Sequence, residues 1–179
     1  YIIFSGFNNF EFQGLTFTKE RFGEIPVYHH YYYFNTPDGK LIKYNLYLRN
    51  DPRKNAAGIT GRVTDGITFS LENPVYISVD DDGILGCEYS SAGISSLASF
   101  LADNQLQIKG ASYDEKKAKE NNLEYVTCET HSNDFVIVIK GGKITQIAQQ
   151  TPNCYHIEIS NCEVLQGIEK FQVQALLDV

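Results

Sequence analysis

The sequence is short of positive charge. Its 179 residues hold 15 Lys and Arg against 22 Asp and Glu, a formal net charge of −7. The densest basic run, Lys116-Lys117-Ala118-Lys119, is interleaved with Asp114, Glu115 and Glu120. A nucleic-acid partner requires phosphate neutralisation, and an anionic bilayer makes the same demand. Neither is expected. Long apolar runs are also absent: Tyr1–Phe4 is apolar but far below the roughly 20 residues of a membrane helix. No Asn-x-Ser/Thr acceptor occurs, because Asn35-Thr36-Pro37 fails the spacing, so N-glycosylation is not expected. Gly-x-Ser-x-Gly, His-Glu-x-x-His, Walker and dinucleotide-binding motifs are missing. No catalytic residue, cofactor or metal ion is therefore expected. There is no starting Met and no visible signal peptide; an upstream signal or anchor trimmed before Tyr1 would account for this, as would the choice of segment.

What is present fits a globular protein, with 42% apolar and 21% charged residues. A chain of this size makes one domain or two small lobes and can bury roughly 70% of its unfolded surface. The expected fold is α+β: a Tyr-rich antiparallel part over residues 1–73, then an α/β part over 74–179 with a mixed sheet and about three helices. Residues 10–18 alternate apolar and polar around Gly14, as one kinked strand or two short ones. Residues 25–34 and 40–49 form a hairpin across Asn35-Thr36-Pro37-Asp38-Gly39. Ile42, Tyr44, Leu46 and Leu48 share one face of it; Lys43, Asn45, Tyr47 and Arg49 share the other. Residues 50–61 read as a loop, 62–71 as a weak strand and 75–79 as a short apolar strand. Ile94, Leu97, Ala98 and Leu101 fall at helical spacing, which predicts a helix over 90–103. Strands are expected at 105–109 and 123–128, with a helix between them opened by a capping box at Ser112–Glu115. Phe135-Val-Ile-Val-Ile139 suits a strand buried on both faces. Lys140-Gly141-Gly142-Lys143 reads as a two-residue hairpin turn leading to a further strand. A last helix is expected from Asn161 as its cap, with Val164, Ile168, Phe171 and Ala175 on its apolar face.

Four cysteines allow three pairings. Zinc is disfavoured because no Cys-x-x-Cys knuckle is present. With 154–160 extended, Cys154 and Cys162 lie about 25 Å apart at ~3.3 Å per residue, beyond the ~7 Å limit for bridged Cα atoms. The register expected from the Gly-Gly turn places Cys128 opposite about residue 155, so Cys128–Cys154 is the natural staple. Cys87–Cys162 follows by elimination. Two bridges imply an oxidising compartment; four buried free thiols are the alternative.

Other constellations are thinner. Cys87-Glu88-Tyr89-Ser90 at a strand-to-helix junction resembles the position of the reactive cysteine in thioredoxin-like thiol oxidoreductases, where a helix N-terminus lowers the thiol pKa. Here Ser90 replaces the second cysteine, and no proline precedes the strand that starts at Phe135. Asp80-Asp81-Asp82-Gly83 gathers carboxylates in a turn without the spacing of a calcium loop. His29 and His30 are neighbours in a strand and point to opposite faces. His156 and Glu158 share a face with Cys154 and would make an acid–base pair only if a cleft lay there; a half-exposed sheet face explains them as well.

The tyrosines give the best binding signal. Tyr28, Tyr31, Tyr32, Tyr33, Tyr44 and Tyr47 cluster on one hairpin and cannot all face one core. Tyr offers apolar area with a polar tip and is enriched at interfaces. We take Tyr28, Tyr31, Tyr33, Tyr44 and Tyr47 as candidate binding residues, with a neighbouring sheet edge open to strand addition. An aromatic core with some surface Tyr is the simpler account.

Glu11-Phe-Gln-Gly-Leu-Thr-Phe-Thr18, Leu48-Arg-Asn-Asp-Pro-Arg53, Val126-Thr-Cys-Glu129 and Asn153-Cys154 resemble motifs of uncharacterised, membrane-anchored extracytoplasmic proteins of DPANN archaea. The likeness spans most of the chain in short motifs. It implies an extracytoplasmic domain at the cell surface behind an N-terminal anchor helix, and it carries over no activity. The expected function is binding or assembly through a protein partner or self-association, with membrane contact only through an anchor before Tyr1. The alternative is a thiol oxidoreductase using Cys87, and a more distant one is a hydrolase built on His156 and Glu158.

Overall fold

Alternation with a period of two organises the first third of the chain. In the computed structural model, which describes residues 8–61 and 67–177, this stretch forms β1 (Asn9–Phe12), β2 (Leu15–Phe22), β3 (Ile25–Asn35) and β4 (Leu41–Leu48). They make one antiparallel sheet in the order β1-β2-β3-β4. Residues 10–18 are two strands rather than one kinked strand. Gln13 and Gly14 both have positive φ, 51° and 80°, the left-handed geometry that two-residue hairpin turns require. The register pairs Tyr28 with Leu48, His30 with Leu46 and Tyr32 with Tyr44 on one face. It pairs His29 with Tyr47, Tyr31 with Asn45 and Tyr33 with Lys43 on the other. Phe17, Leu46 and Leu48 are buried on the first face. After β4, Asp51 and Arg53 form an ion pair of 2.6 Å, and the Arg53 guanidinium lies 3.7 Å over the Phe10 ring.

The chain divides into two compact units, Tyr1–Asn55 and Ala56–Val179. The boundary falls before the 73/74 break read from the sequence, because part of the supposed 50–61 loop is β5 (Gly58–Thr60), which pairs with β10 (Gln146–Thr151) of the second unit. The expected weak strand at 62–71 lies partly outside the described residues, and 67–71 is not a strand.

The second unit is a mixed sheet of seven strands with three helices. Its further strands are β6 (Val75–Val79), β7 (Ile108–Ser112), β8 (Glu124–Tyr125), β9 (Phe135–Gly141) and β11 (Cys154–Ile159). The order is β5-β10-β11-β9-β6-β7-β8. From β11 to β8 the neighbours run parallel, whereas β10 opposes β11. The helices are α1 (Ser90–Asp103), α2 (Glu115–Glu120) and α3 (Val164–Leu176). The helix predicted over 90–103 is α1. The strands expected at 105–109 and 123–128 are shifted or shortened to β7 and β8.

The Gly-Gly hairpin is not there. β9 is parallel to β11, and β10 lies on the far side of β11. An apolar run buried on both faces needs an inner position, and β9 takes it between β6 and β11. β10 carries Gln146, Gln149 and Gln150 and lies nearer the sheet edge. Gly141 and Gly142 serve close approach instead. A Cβ at Gly141 would stand 2.8 Å from the Gly83 carbonyl oxygen, and one at Gly142 would stand 2.8 Å from Glu158 Cβ.

The helix starts also differ from the expected ones. α2 is capped by Asp114, whose carboxylate accepts from the Lys117 N–H at 2.8 Å. Ser112 sits at the end of β7 and accepts from the Asp114 N–H instead. Asn161 does not cap α3. It has φ 50° and Cys162 has φ 59°, so the two turn the chain before Val164. On α3, Gly167 lets the helix settle on Ile157 and Ile159, and on α1, Gly93 faces Val164 and Ile168.

Both expected disulfides are present. Cys87–Cys162 has its Cα atoms 5.1 Å apart and closes 75 residues; Cys128–Cys154 has them 5.6 Å apart and closes 26. The second pairing is as predicted, but the hairpin register that suggested it does not exist. Cys154 opens β11 and Cys128 lies in the turn after β8. Loop-closure entropy gives the longer bridge about 4.5 kcal/mol and the shorter about 3.5 kcal/mol. Denaturant melts should therefore show C87S/C162S less stable than C128S/C154S. Replacing Gly83 by Ala should be worse tolerated than a surface change, because its Cβ would stand 2.3 Å from the Gly141 backbone nitrogen. A loss of about 2 kcal/mol or more in the same melts is expected.

Candidate functional site

The exposed face of the first sheet carries the aromatic residues that the core does not take. β3 presents His29, Tyr31 and Tyr33 at alternate positions, and β4 adds Tyr47 opposite His29. Phe22 closes the row from the end of β2. Its ring is 5.5 Å from Tyr47, Tyr47 stacks on His29 at 4.5 Å, His29 is 6.0 Å from Tyr31, and Tyr31 is 6.0 Å from Tyr33. Phe22, Tyr47, Tyr31 and Tyr33 are 57%, 43%, 51% and 55% exposed. Lys43 reaches over the Tyr31 ring at 4.0 Å. His29 fixes the middle of the row: Nδ1 donates to the Glu20 carboxylate at 2.8 Å, and Nε2 lies 3.0 Å from Asn45 Oδ1.

This face separates the five candidate tyrosines. Tyr31, Tyr33 and Tyr47 stand together on it. Tyr28 and Tyr44 lie on the opposite face, where Tyr28 is only 8% exposed and Tyr44 is half-buried beside Tyr32. Tyr28 is therefore a core residue. Phe22 and His29 join the row and were missed by counting tyrosines. Period two through His29, Tyr31 and Tyr33 would have found His29; Phe22 enters through its strand pairing. His30 points the other way, as expected, and its Nδ1 donates to the Thr16 carbonyl at 2.9 Å.

A second cluster lies in the α/β unit, on the sheet face away from α3. Cys128, Cys154 and His156 are all buried, and their sulfur and nitrogen atoms lie within 4.8 Å of one another. His156 Nε2 is 3.3 Å from Cys128 Sγ. Tyr113 faces the His156 ring edge-on at 6.1 Å. Glu158 does not form the acid–base arrangement considered from the sequence. Its carboxylate accepts from Gln146 Nε2 at 2.6 Å and lies 3.6 Å from Lys140 Nζ. Burial is the largest cause that lowers the His156 pKa from 6.5 to about 4; nearby Lys140 acts the same way, while Glu158 and Glu129 oppose it.

The other expected positions are occupied structurally. Cys87 is bridged to Cys162, so this state offers no thiol at the start of α1. In the acidic turn, Asp80 accepts from the Gly83 N–H and Asp82 pairs with Lys117 at 2.5 Å. Strand order reverses between β6 and β9, the point where open α/β sheets bind ligands beyond their strand ends. Here Gly83 packs backbone to backbone on Gly141 at that point. An apolar cleft of about 300 Å³ lies to one side, lined by Ile77, Val79, Ile94, Ala98, Ile108 and Leu123, with Asp81 the one charged group among the described lining residues. Among the described residues no helix is long and apolar enough to cross a membrane.

Compared with protein-family models, curated proteins and solved structures, the chain finds no match.

The lowered His156 pKa has a definite sign for stability. Between pH 6.5 and about 4 the unfolded chain takes up a proton at His156 that the folded chain refuses. That term therefore favours folding above pH 6.5, and it falls away as the pH drops toward about 4. Denaturant melts of the oxidised protein should show this acid-side loss, and H156Q should flatten that part of the profile.

Proposed function

We propose that this chain is an extracytoplasmic binding or structural protein of the cell surface, acting through protein contacts on the aromatic face of its first sheet. The observation that carries this reading is the continuous row Phe22–Tyr47–His29–Tyr31–Tyr33, with four of its five rings about half exposed. A folded chain can bury such rings when its core needs them, and here Phe17, Leu46 and Leu48 are buried on the opposite face. Exposed contiguous aromatic area is characteristic of interaction surfaces. Each ring offers a large apolar area with few rotatable bonds, so little side-chain entropy is lost on docking. β4 is an edge strand of this sheet and offers a partner strand a ladder beside the aromatic row. Two disulfides support residence outside the reducing cytoplasm. The net charge of −7 supports a protein partner over a nucleic acid.

Replacing Tyr31 and Tyr33 by Thr keeps β propensity and removes two central rings. In Y31T/Y33T, self-association by sedimentation velocity, and capture of envelope proteins from the producing cells, should fall at least tenfold while the circular dichroism spectrum and melting point stay close to wild type. If the variant associates and captures the same proteins as wild type, this face is not the contact.

A further inference from the structure

We propose that reduction of the Cys128–Cys154 bridge opens a site for one thiophilic divalent cation such as zinc, held by the two thiolates and His156 Nε2. The three donors are already gathered: all lie within 4.8 Å of one another, and Nε2 is 3.3 Å from Cys128 Sγ. A tetrahedral ion with bonds of about 2.3 Å to sulfur and about 2.0 Å to nitrogen places sulfur and nitrogen about 3.6 Å apart and the two sulfurs about 3.8 Å apart. The imidazole thus stands near its ligating distance from Cys128 Sγ, and the two sulfurs must part with Cys154 Sγ swinging to the same reach of Nε2. Their Cα atoms are 5.6 Å apart, so this takes side-chain rotation rather than a rebuilt backbone.

The donor set is two cysteines and one histidine, with a fourth position for water, which suits zinc better than hard cations. Two thiolates neutralise a divalent charge, which a buried site requires. The chemistry balances. A dithiol reductant gives two electrons and two protons to the bridge and closes to its own disulfide; cation binding then releases the two thiol protons to solvent. The Cys87–Cys162 bridge belongs to no comparable cluster among the described residues. The missing Cys-x-x-Cys knuckle is no obstacle, because these ligands meet from a turn and a strand rather than from one local loop.

The test uses the full chain with C87S/C162S, so that Cys128 and Cys154 are its only thiols. The bridge is reduced with a trialkylphosphine, which leaves as its oxide with oxygen from water, and cobalt(II) is added without air. The expected result is one cobalt per chain with intense tetrahedral absorption bands, displaced by zinc and absent before reduction. Adding H156Q should weaken zinc binding roughly tenfold or more. As a second measurement on the wild-type chain, reduced and zinc-loaded, Cys128 and Cys154 should resist alkylation while Cys87 and Cys162 are labelled. No tetrahedral spectrum, an affinity indifferent to H156Q, or equal labelling of all four cysteines would each overturn the proposal. So would a reduced chain that is unfolded and binds through thiols alone.

Discussion

Double burial of β9 sets the second unit. Phe135 to Ile139 offers no polar face, so the strand must have sheet neighbours on both edges and cover on both sides. β6 and β11 supply the edges. Parallel pairing with β11 then obliges the chain to leave β9, run back as β10 and return, which puts β10 outside β11. The remaining features follow from this. β11 begins beside Val136, which places Cys154 and His156 on one face and sends Tyr155 and Ile157 toward the packed side with Phe171 and Gly167. The bridges then hold what the sheet does not: the turn after β8, through Cys128, and the loop before α1, through Cys87.

Local chemistry was legible in the sequence where one element decided its own form. α1 follows from Ile94, Leu97, Ala98 and Leu101, and the β3–β4 hairpin with its buried face follows from the turn at 35–39 and the alternation at 42–49. The parallel pairing of β9 was not legible. Gly141-Gly142 has the composition of a tight turn, and only the approach of Gly83 and Glu158 shows why side chains are excluded there. The start of α3 was misread for a related reason. Asn161 is a good capping residue, yet it and Cys162 take positive φ beside the bridge to Cys87, a tertiary constraint that no local window contains. The Cys128–Cys154 pairing is as expected although the hairpin register is not, because residue 128 lies beside the first residue of β11 in either arrangement.

The candidate sites show the same division. Alternation alone separates Tyr44 from Tyr47 on β4; the pairing of Tyr31 with Asn45 and of Tyr28 with Leu48 then assigns the β3 tyrosines to the two faces. The cysteine–histidine cluster was half visible, since Cys154 and His156 share a face by alternation. Its third member comes from a segment 26 residues earlier, brought in by the bridge.

Where a ligand could act in this molecule is decided by what each sheet leaves open. An α/β sheet with reversed strand order ordinarily leaves a crevice at the reversal. In this chain the loop after β6 closes on the end of β9 through two glycines, and a disulfide fastens the far end of that loop to the start of α3. A side chain at either glycine would hold the crevice open, so their absence of Cβ atoms closes it. The first sheet does the reverse. It keeps Phe17, Leu46 and Leu48 in its core and leaves Phe22, Tyr31, Tyr33 and Tyr47 outside, although an exchange of register by one residue would swap the two sets. His29 resists that slip, because its two ring nitrogens are engaged by Glu20 on one neighbouring strand and Asn45 on the other. The aromatic row is thus held outward by a polar clamp within its own face, which is why the proposed contact lies there rather than at the closed end of the parallel sheet.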